Sequence, residues 1–545
     1  MKELKDLKWL LINLTKAEKK VLFKLLKLTN EKGTDSKAIF LIQSLLNNQN
    51  YHVNDLNTIL YKGSQLVALR KLIKRTYLRV QDVILLKYSI DSNTIYDLRT
   101  KEIFQLRKKL LQYDMLLSRG IQDTSIPELD KLIQKAEKYE YYDILLFILY
   151  KKRRLQLAAS NYKSFQITNQ KIEKNEMARK CLHKAEESFY TTCVLNFQSI
   201  KKEKSKSRYL ESMINEIHED VRITGSKTIL YYLYMHQIEY FDLKMDYYSA
   251  YHTSEKLISF LHKESLVNTL TRMSTVLLNK ANYLIKSFRF HDSELVLNNL
   301  DRRILKNKQD DLVIKEVLLS IAIFSNKQLL ARECFTYILK LIESDDNYGI
   351  KKSKYYFIGL TISYLFGYSL KGSSNEDINT FSDFPDEKWK FSHRVFNILL
   401  LIEAEKYELA DAQIENNRKY IERMKKSDVL NPRQSLIGKV LVELSRKSYD
   451  FKKVSKSKHK ELTLLDSVEP EYRWQILSPE FIVFQEWFNA QLNHEKYDHG
   501  KVMERMKAKI SPVVQKPLVT LKPDDGSKYN RRVPSGAKRK KLATA

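Results

Sequence analysis

Between Gly63 and Asp91 the chain places Leu66, Leu69, Ile73, Tyr77, Val80 and Ile84 at three- and four-residue steps. Arg70, Lys71, Lys74, Arg75 and Arg79 fall on the other sides of the same stretch. Only a helix of 3.6 residues per turn gathers such a set onto one face. The pattern recurs along most of the sequence, and little interrupts it. Glycine occurs 12 times and proline 9 times in 545 residues, well below their usual shares of about 7% and 5%. Glycine enters positive φ without strain, so phosphate-cradling loops and tight hairpins consume it. A chain this poor in both residues is unsuited to an all-β or a glycine-rich α/β fold. The expectation is an all-α protein: a helical N-terminal domain, an α-solenoid of antiparallel helical hairpins, and a disordered basic tail.

The helices can be placed along the chain. Thr15 with Glu18 three residues later forms a capping box. Val21, Leu22, Leu25, Leu26 and Leu28 continue that helix as an apolar stripe. Short helices are expected over 36–47 and 53–61, and a longer one over 95–117. Residues 1–125 read as a basic helical N-terminal domain. Residues 126–226 read as a helical linker or early repeats, opened by Ser125 as cap and Pro127 in the first turn. The charged run Lys201–Ser207 is expected to be a loop or frayed helix end. From 227 to 425 the helices pair: 228–244 with 247–262, 268–288 with 291–305, 311–325 with 328–344, and 388–405 with 407–424. An irregular unit at 351–380 precedes a loop over 372–385. Helices at 432–447, 449–463 and 478–495 are expected to cap the solenoid within 426–510. Residues 511–545 hold prolines, glycines and charges, and read as the disordered basic tail.

Within the pairs, short segments repeat. Asp246–Tyr247–Tyr248–Ser249–Ala250 is one; Phe290–His291–Asp292–Ser293 and Lys406–Tyr407–Glu408–Leu409–Ala410 share its aromatic-then-small spacing. Ala331 marks a weaker copy, and Ala281 is the small residue of the preceding helix. This resembles the turn of tetratricopeptide repeats, in a degenerate and elongated form. The markers at 250, 293, 331 and 410 lie further apart than the 34 residues of the standard repeat. The layout is also similar to bacterial repeat proteins of unassigned function with a helical N-terminal domain. The resemblance implies that Tyr247, Ala250, Ala281, Phe290, Ser293, Ala331, Tyr407 and Ala410 are repeat-packing residues. It further implies a surface that holds a peptide or helix.

The motifs of nucleotide-binding and hydrolytic enzymes are missing from the sequence, and no catalytic residue, cofactor or metal is expected. Cys181, Cys193 and Cys334 are widely spaced and read as buried reduced thiols. Cys181 with His183 lacks a second pair to complete a zinc site. His494 and His499 are expected to be solvated. The Tyr cluster at 231, 232, 234, 240, 247 and 248 reads as hairpin packing. No run of apolar residues is long enough to span a membrane, which sets a cytoplasmic expectation with no membrane partner.

Net charge is +29, concentrated at the ends. Residues 1–125 hold 23 basic and 12 acidic side chains, and 516–545 hold 9 and 2. The functional expectation is a scaffold or adaptor with a protein or peptide partner. The alternative is a nucleic-acid-associated regulator that touches phosphate through Arg70, Lys71, Lys74, Arg75 and Arg79.

Overall fold

The computed structural model describes residues 2–28, 36–47, 52–85, 96–119, 125–196, 201–301, 308–343, 352–367, 384–426, 430–514 and 516. Among them every regular element is a helix. The chain divides into two units, 1–172 and 173–545.

In the first unit α1 (Lys2–Asn13), α2 (Lys16–Leu28), α3 (Ser36–Asn47) and α4 (Val53–Tyr61) all pack on α5 (Leu66–Ile84). Leu7, Leu11, Leu22, Leu41, Leu56, Leu69, Ile73 and Val80 share one core. The capping box ahead of α2 forms as expected: Glu18 N–H donates to Thr15 Oγ1 at 3.2 Å, and Thr15 N–H to Glu18 Oε2 at 2.7 Å. The buried face of α5 differs in part from the sequence pattern. Leu66 is 44% exposed, whereas Leu72, Thr76 and Val83 are buried. Leu66 sits in the first turn, and Thr76 satisfies its hydroxyl on Leu72 O at 2.8 Å, so it can face the core. Three helices follow: α6 (Leu98–Ser118), α7 (Ser125–Lys138) and α8 (Tyr142–Ala158), each packed on the next. The division between the units falls within α9 (Tyr162–Asn196).

The second unit is a solenoid. It runs α10 (Lys201–Thr224), α11 (Lys227–Leu243), α12 (Tyr247–Lys263), α13 (Leu270–Lys286), α14 (Phe290–Asn298), α15 (Lys308–Phe324), α16 (Gln328–Glu343) and α17 (Lys352–Phe366). Then come α18 (Glu387–Glu403), α19 (Tyr407–Lys426) and α20 (Pro432–Arg446). From α10 to α17, and again from α18 to α20, successive helices pack on one another. Residues 201–207 belong to α10 instead of forming a loop; Lys and Glu are good helix formers, and charge alone does not break a helix. Most of the loop expected at 372–385 lies outside the described residues, as does the tail from 517 onward.

One turn builds six of the hairpins. Glu140, Ser160, Met245, Phe288, Asn326 and Glu405 each adopt left-handed backbone, with φ between 53° and 60°. The following N–H donates to the carbonyl five residues back, as in Asp246 N–H to Phe241 O and Lys406 N–H to Leu401 O, both 2.9 Å. This 6→1 bond defines the Schellman stop, normally made with glycine. Here L-residues hold the left-handed position, which is how a helical-hairpin chain manages with so little glycine. The next helix begins two residues after each left-handed residue, usually on an aromatic: Tyr142, Tyr162, Tyr247, Phe290 and Tyr407.

Among the described residues four more helices follow: α21 (Phe451–Ser457), α22 (His459–Leu465), α23 (Phe484–Leu492) and α24 (His499–Val514). The helix expected over 478–495 is shorter, because residues 476–483 are not helical. α24 continues through Pro512 to Val514, so residues 511–514, expected to open the disordered tail, belong to a helix instead.

Candidate functional site

The surface made by the ends of the first helices in each hairpin carries the segment 466–514. Arg473 Nη2 donates to Met245 O at 3.4 Å, in the α11–α12 turn. His499 Nε2 meets Ile323 O at 2.9 Å, next to the α15–α16 turn. Trp487 Nε1 donates to Glu403 Oε1 at 2.7 Å, at the end of α18. Aromatic rings fill the space between. Phe324 meets Trp474 and Phe481 at 6.0 and 6.2 Å, Phe357 meets Phe481 at 5.9 Å, and Phe366 meets His499 at 6.1 Å. Trp474, Phe484, Trp487 and Phe488 are almost wholly buried. The segment therefore bridges hairpins through backbone carbonyls, a carboxylate and ring edges.

Two polar centres anchor it. Glu403 also accepts from the Tyr364 hydroxyl at 2.7 Å; burial and then the Glu403 charge push the Tyr364 hydroxyl's pKa up. Arg433 is the second. Its Nε and Nη2 grip Glu480 at 2.7 Å each, Nη1 donates to Leu465 O and Tyr472 O at 2.9 and 2.8 Å, and Nη2 also reaches Gln485 Oε1 at 2.6 Å. A buried charge is tolerable when it is paired and fully hydrogen-bonded, and Arg433 is both.

Beside this network lies a cavity of about 80 Å³ between α17, α18, α20 and the loop before α23. Its wall mixes apolar side chains, including Phe357, Phe391, Ile437 and Phe481, with as many polar ones, among them Lys388, Asn431, Gln434, Arg473, Gln475 and Ser478. His393, on α18, is buried against Phe357 and Phe384, and that burial pulls its pKa down to about 4.

The expected repeat-packing residues fall as follows. Ala250, Ala281, Ser293, Ala331 and Ala410 are fully buried, and Ser293 Oγ donates to Ala281 O at 2.9 Å across the hairpin. Tyr247 is buried beneath Lys286 and Arg473. Phe290 is half-buried against Phe288. Tyr407 is 42% exposed and stacks on Tyr449 of the next hairpin, with ring centroids 4.5 Å apart. Of the Tyr cluster, Tyr231, Tyr232 and Tyr240 are buried, while Tyr248 is exposed.

In the first unit Arg70, Lys71, Lys74 and Arg75 are exposed along α5 and Arg79 is half-buried. Arg70, Lys71 and Lys74 share a shallow cleft with Glu3 of α1.

His499 is a correction: it is buried, bonded to Ile323 O, and its pKa is lowered by burial, whereas His494 is exposed. The apolar segment around it, not its own helix, takes it out of water. Cys181 and Cys334 are buried and Cys193 half-buried, all as free thiols. Cys181 Sγ donates to Asp220 Oδ1 at 3.3 Å. Among the described residues no three metal-ligating side chains converge, and no helix is long and apolar enough to cross a membrane.

Sequence reasoning missed Arg433, Arg473, Ser478 and Glu480. Two of the chain's four tryptophans, Trp474 in the loop and Trp487 in the helix that follows it, fall within 466–514, and they were the available signal. No family model, curated protein or solved structure matches the chain.

Proposed function

We propose that this is a cytoplasmic scaffold or adaptor of tetratricopeptide-like build, whose partner is a peptide or helix held on the repeat surface. The observation that supports it is the seating of 466–514. A row of hairpin ends receives a polypeptide through the Met245 and Ile323 carbonyls and the Glu403 carboxylate. Such groups recognise main chain and donors in general, so a partner's segment can be received in the same manner. Lys244, Lys327 and Lys406 stand exposed at three of these turns. Lysine-directed crosslinking of the full-length chain in a cell extract, read by mass spectrometry, is expected to join one partner to these lysines. Recovery of no specific partner there would remove the reading.

A second reading rests on α5, whose exposed Arg70, Lys71, Lys74 and Arg75 form one cationic strip. In this reading the protein is a nucleic-acid-associated regulator. Its binding to duplex DNA would weaken steeply with salt and fall further in Lys71→Glu/Lys74→Glu. Absence of binding at low salt excludes it.

A further inference from the structure

The cavity between α17, α18, α20 and the loop before α23 is apolar where it is buried and polar where it is half-exposed. Phe391, Val395, Phe396, Ile437 and Phe481 are its buried apolar wall. Ser392, Asn431, Gln434 and Gln475 also line it and are only half-buried. Each of the three amides is engaged at one end. Asn431 Oδ1 accepts from Arg433 N–H at 2.8 Å, Gln434 Oε1 accepts from Asn431 N–H at 3.3 Å, and Gln475 Nε2 donates to Met245 Sδ at 3.4 Å. Among the described residues Asn431 Nδ2, Gln434 Nε2, Gln475 Oε1 and the Ser392 hydroxyl have no protein partner, and none of these atoms is shut away from the surface. The buried charges of the wall are already committed. Arg433 and Glu480 hold each other, and Arg473 is engaged at the turn of Met245 and Tyr247. Of the charged lining residues only Lys388 is exposed.

The groups left over are two amide donors, one amide acceptor and one hydroxyl. They are the complement of peptide C=O and N–H groups, which offer both acceptor and donor without charge. An occupant that is apolar throughout covers these four groups and gives them no partner, which is costly. An occupant that is charged has only an apolar wall to enter. One water needs about 10–15 Å³ of such volume, so a cavity of about 80 Å³ takes several non-hydrogen atoms, the size of a leucine or phenylalanine side chain. Removing such a side chain from water is favourable in itself, and a few convergent polar groups beside an apolar recess fix its orientation. We propose that this cavity seats one leucine- or phenylalanine-sized side chain of a peptide. Asn431 Nδ2 and Gln434 Nε2 donate to carbonyls of the flanking main chain, and Gln475 Oε1 accepts from a flanking N–H. The inference rests on the adaptor reading above and adds to it the anchor that the partner must carry. Helices α18 and α20 supply two of these amides and most of the wall while the loop supplies Gln475, so a seated peptide joins the loop to the solenoid.

The test uses the full-length chain and capped pentapeptides that carry Leu, Phe, Ser or Asp between pairs of glycines, with isobutanol as an apolar probe lacking main chain. Saturation-transfer NMR is expected to show saturable binding of the Leu and Phe peptides, strongest at their methyl and ring protons. The Ser and Asp peptides should be inert, and isobutanol should bind about tenfold more weakly than the Leu peptide or worse. Gln434→Glu keeps the oxygen that caps α20 and removes the amide donor. It should weaken the Leu peptide several-fold while leaving isobutanol binding and the melting temperature unchanged. Ser392→Trp, at the half-exposed edge, should abolish binding of both; if it does not fold, Gln434→Glu and the isobutanol comparison decide. No saturable binding of the Leu and Phe peptides, equal binding of isobutanol, binding of the Asp peptide, or unchanged affinity in Ser392→Trp would overturn the proposal. Lysine crosslinking keeps the two readings apart. A partner captured equally by the unaltered chain and by Ser392→Trp overturns the anchor site and leaves the adaptor reading standing. Capture of none by the unaltered chain removes the adaptor reading, and the pentapeptides alone then decide the site.

Discussion

Arg433 and Glu480 face each other fork to fork, with both nitrogen–oxygen distances at 2.7 Å and both side chains largely out of water. Truncating one partner strands the other. Arg433→Met is expected to cost about 3–5 kcal/mol, whereas Arg433→Met/Glu480→Met should cost much less than the two single changes combined. A double-mutant cycle in urea measures this coupling. Limited proteolysis should show the loop at 466–483 becoming cleavable in the single variant first.

The six left-handed turn residues predict a gain of stability. An L-residue in this conformation costs roughly 1–2 kcal/mol relative to glycine. Ser160 and Glu405 are exposed there, so little packing is lost on replacing them. Ser160→Gly and Glu405→Gly are each expected to stabilise by about 1 kcal/mol, and Glu405→Val to destabilise. Urea midpoints of the three variants test the sign.

Two helical glycines should respond differently to alanine. A Cβ on Gly359 would lie 2.7 Å from Cζ of Phe335, a buried ring with nowhere to move. The overpacking cost of about 1–3 kcal/mol exceeds the helix-propensity gain of about 1 kcal/mol, so Gly359→Ala lowers the melting temperature. On Gly438 the Cβ would meet Cδ1 and, at 3.7 Å, Cγ1 of Ile421, so the close contact is with the far end of a flexible side chain. Gly438→Ala is therefore expected to be close to neutral.

Buried histidines make the protein acid-sensitive. His393 in the fold has its pKa depressed to about 4, and burial also lowers those of His236 and His499. Between that value and the unfolded pKa near 6.5, the unfolded chain binds the proton and the folded chain does not. Stability is therefore full above about pH 6.5 and falls as pH drops toward 4. His393 alone accounts for about 2 kcal/mol between pH 7 and pH 5. His393→Gln should flatten that part of the pH profile, measured as the denaturation midpoint at each pH.

The parts of the fold legible in the sequence are those set by neighbours in the chain. The Thr15–Glu18 box, the α5 stripe and the Tyr247–Ala250 turn each need only local spacing. Where tertiary contact decides, local pattern misleads. Leu66 obeys the period yet is exposed, and His499 looks solvated yet is covered by a distant turn. The cavity was not legible at all, because Arg473 and Ser478 belong to an aperiodic loop and their surroundings come from helices tens of residues away. The cationic strip on α5 was legible, because exposure of charge on an amphipathic helix follows from the period itself.

The bond from Arg473 to Met245 spans 228 residues and is one of several that tie 466–514 to hairpins whose own stacking needs only their neighbours. That gives the protein a clock during synthesis. Hairpins can stack as they leave the ribosome, but Tyr247 and the turn beside it lack the cover of Arg473 until residue 473 has been made. At roughly 5–20 residues per second, that interval lasts about 10–45 seconds. For that time the nascent array lacks the cover that residues 466–514 give its aromatic surface.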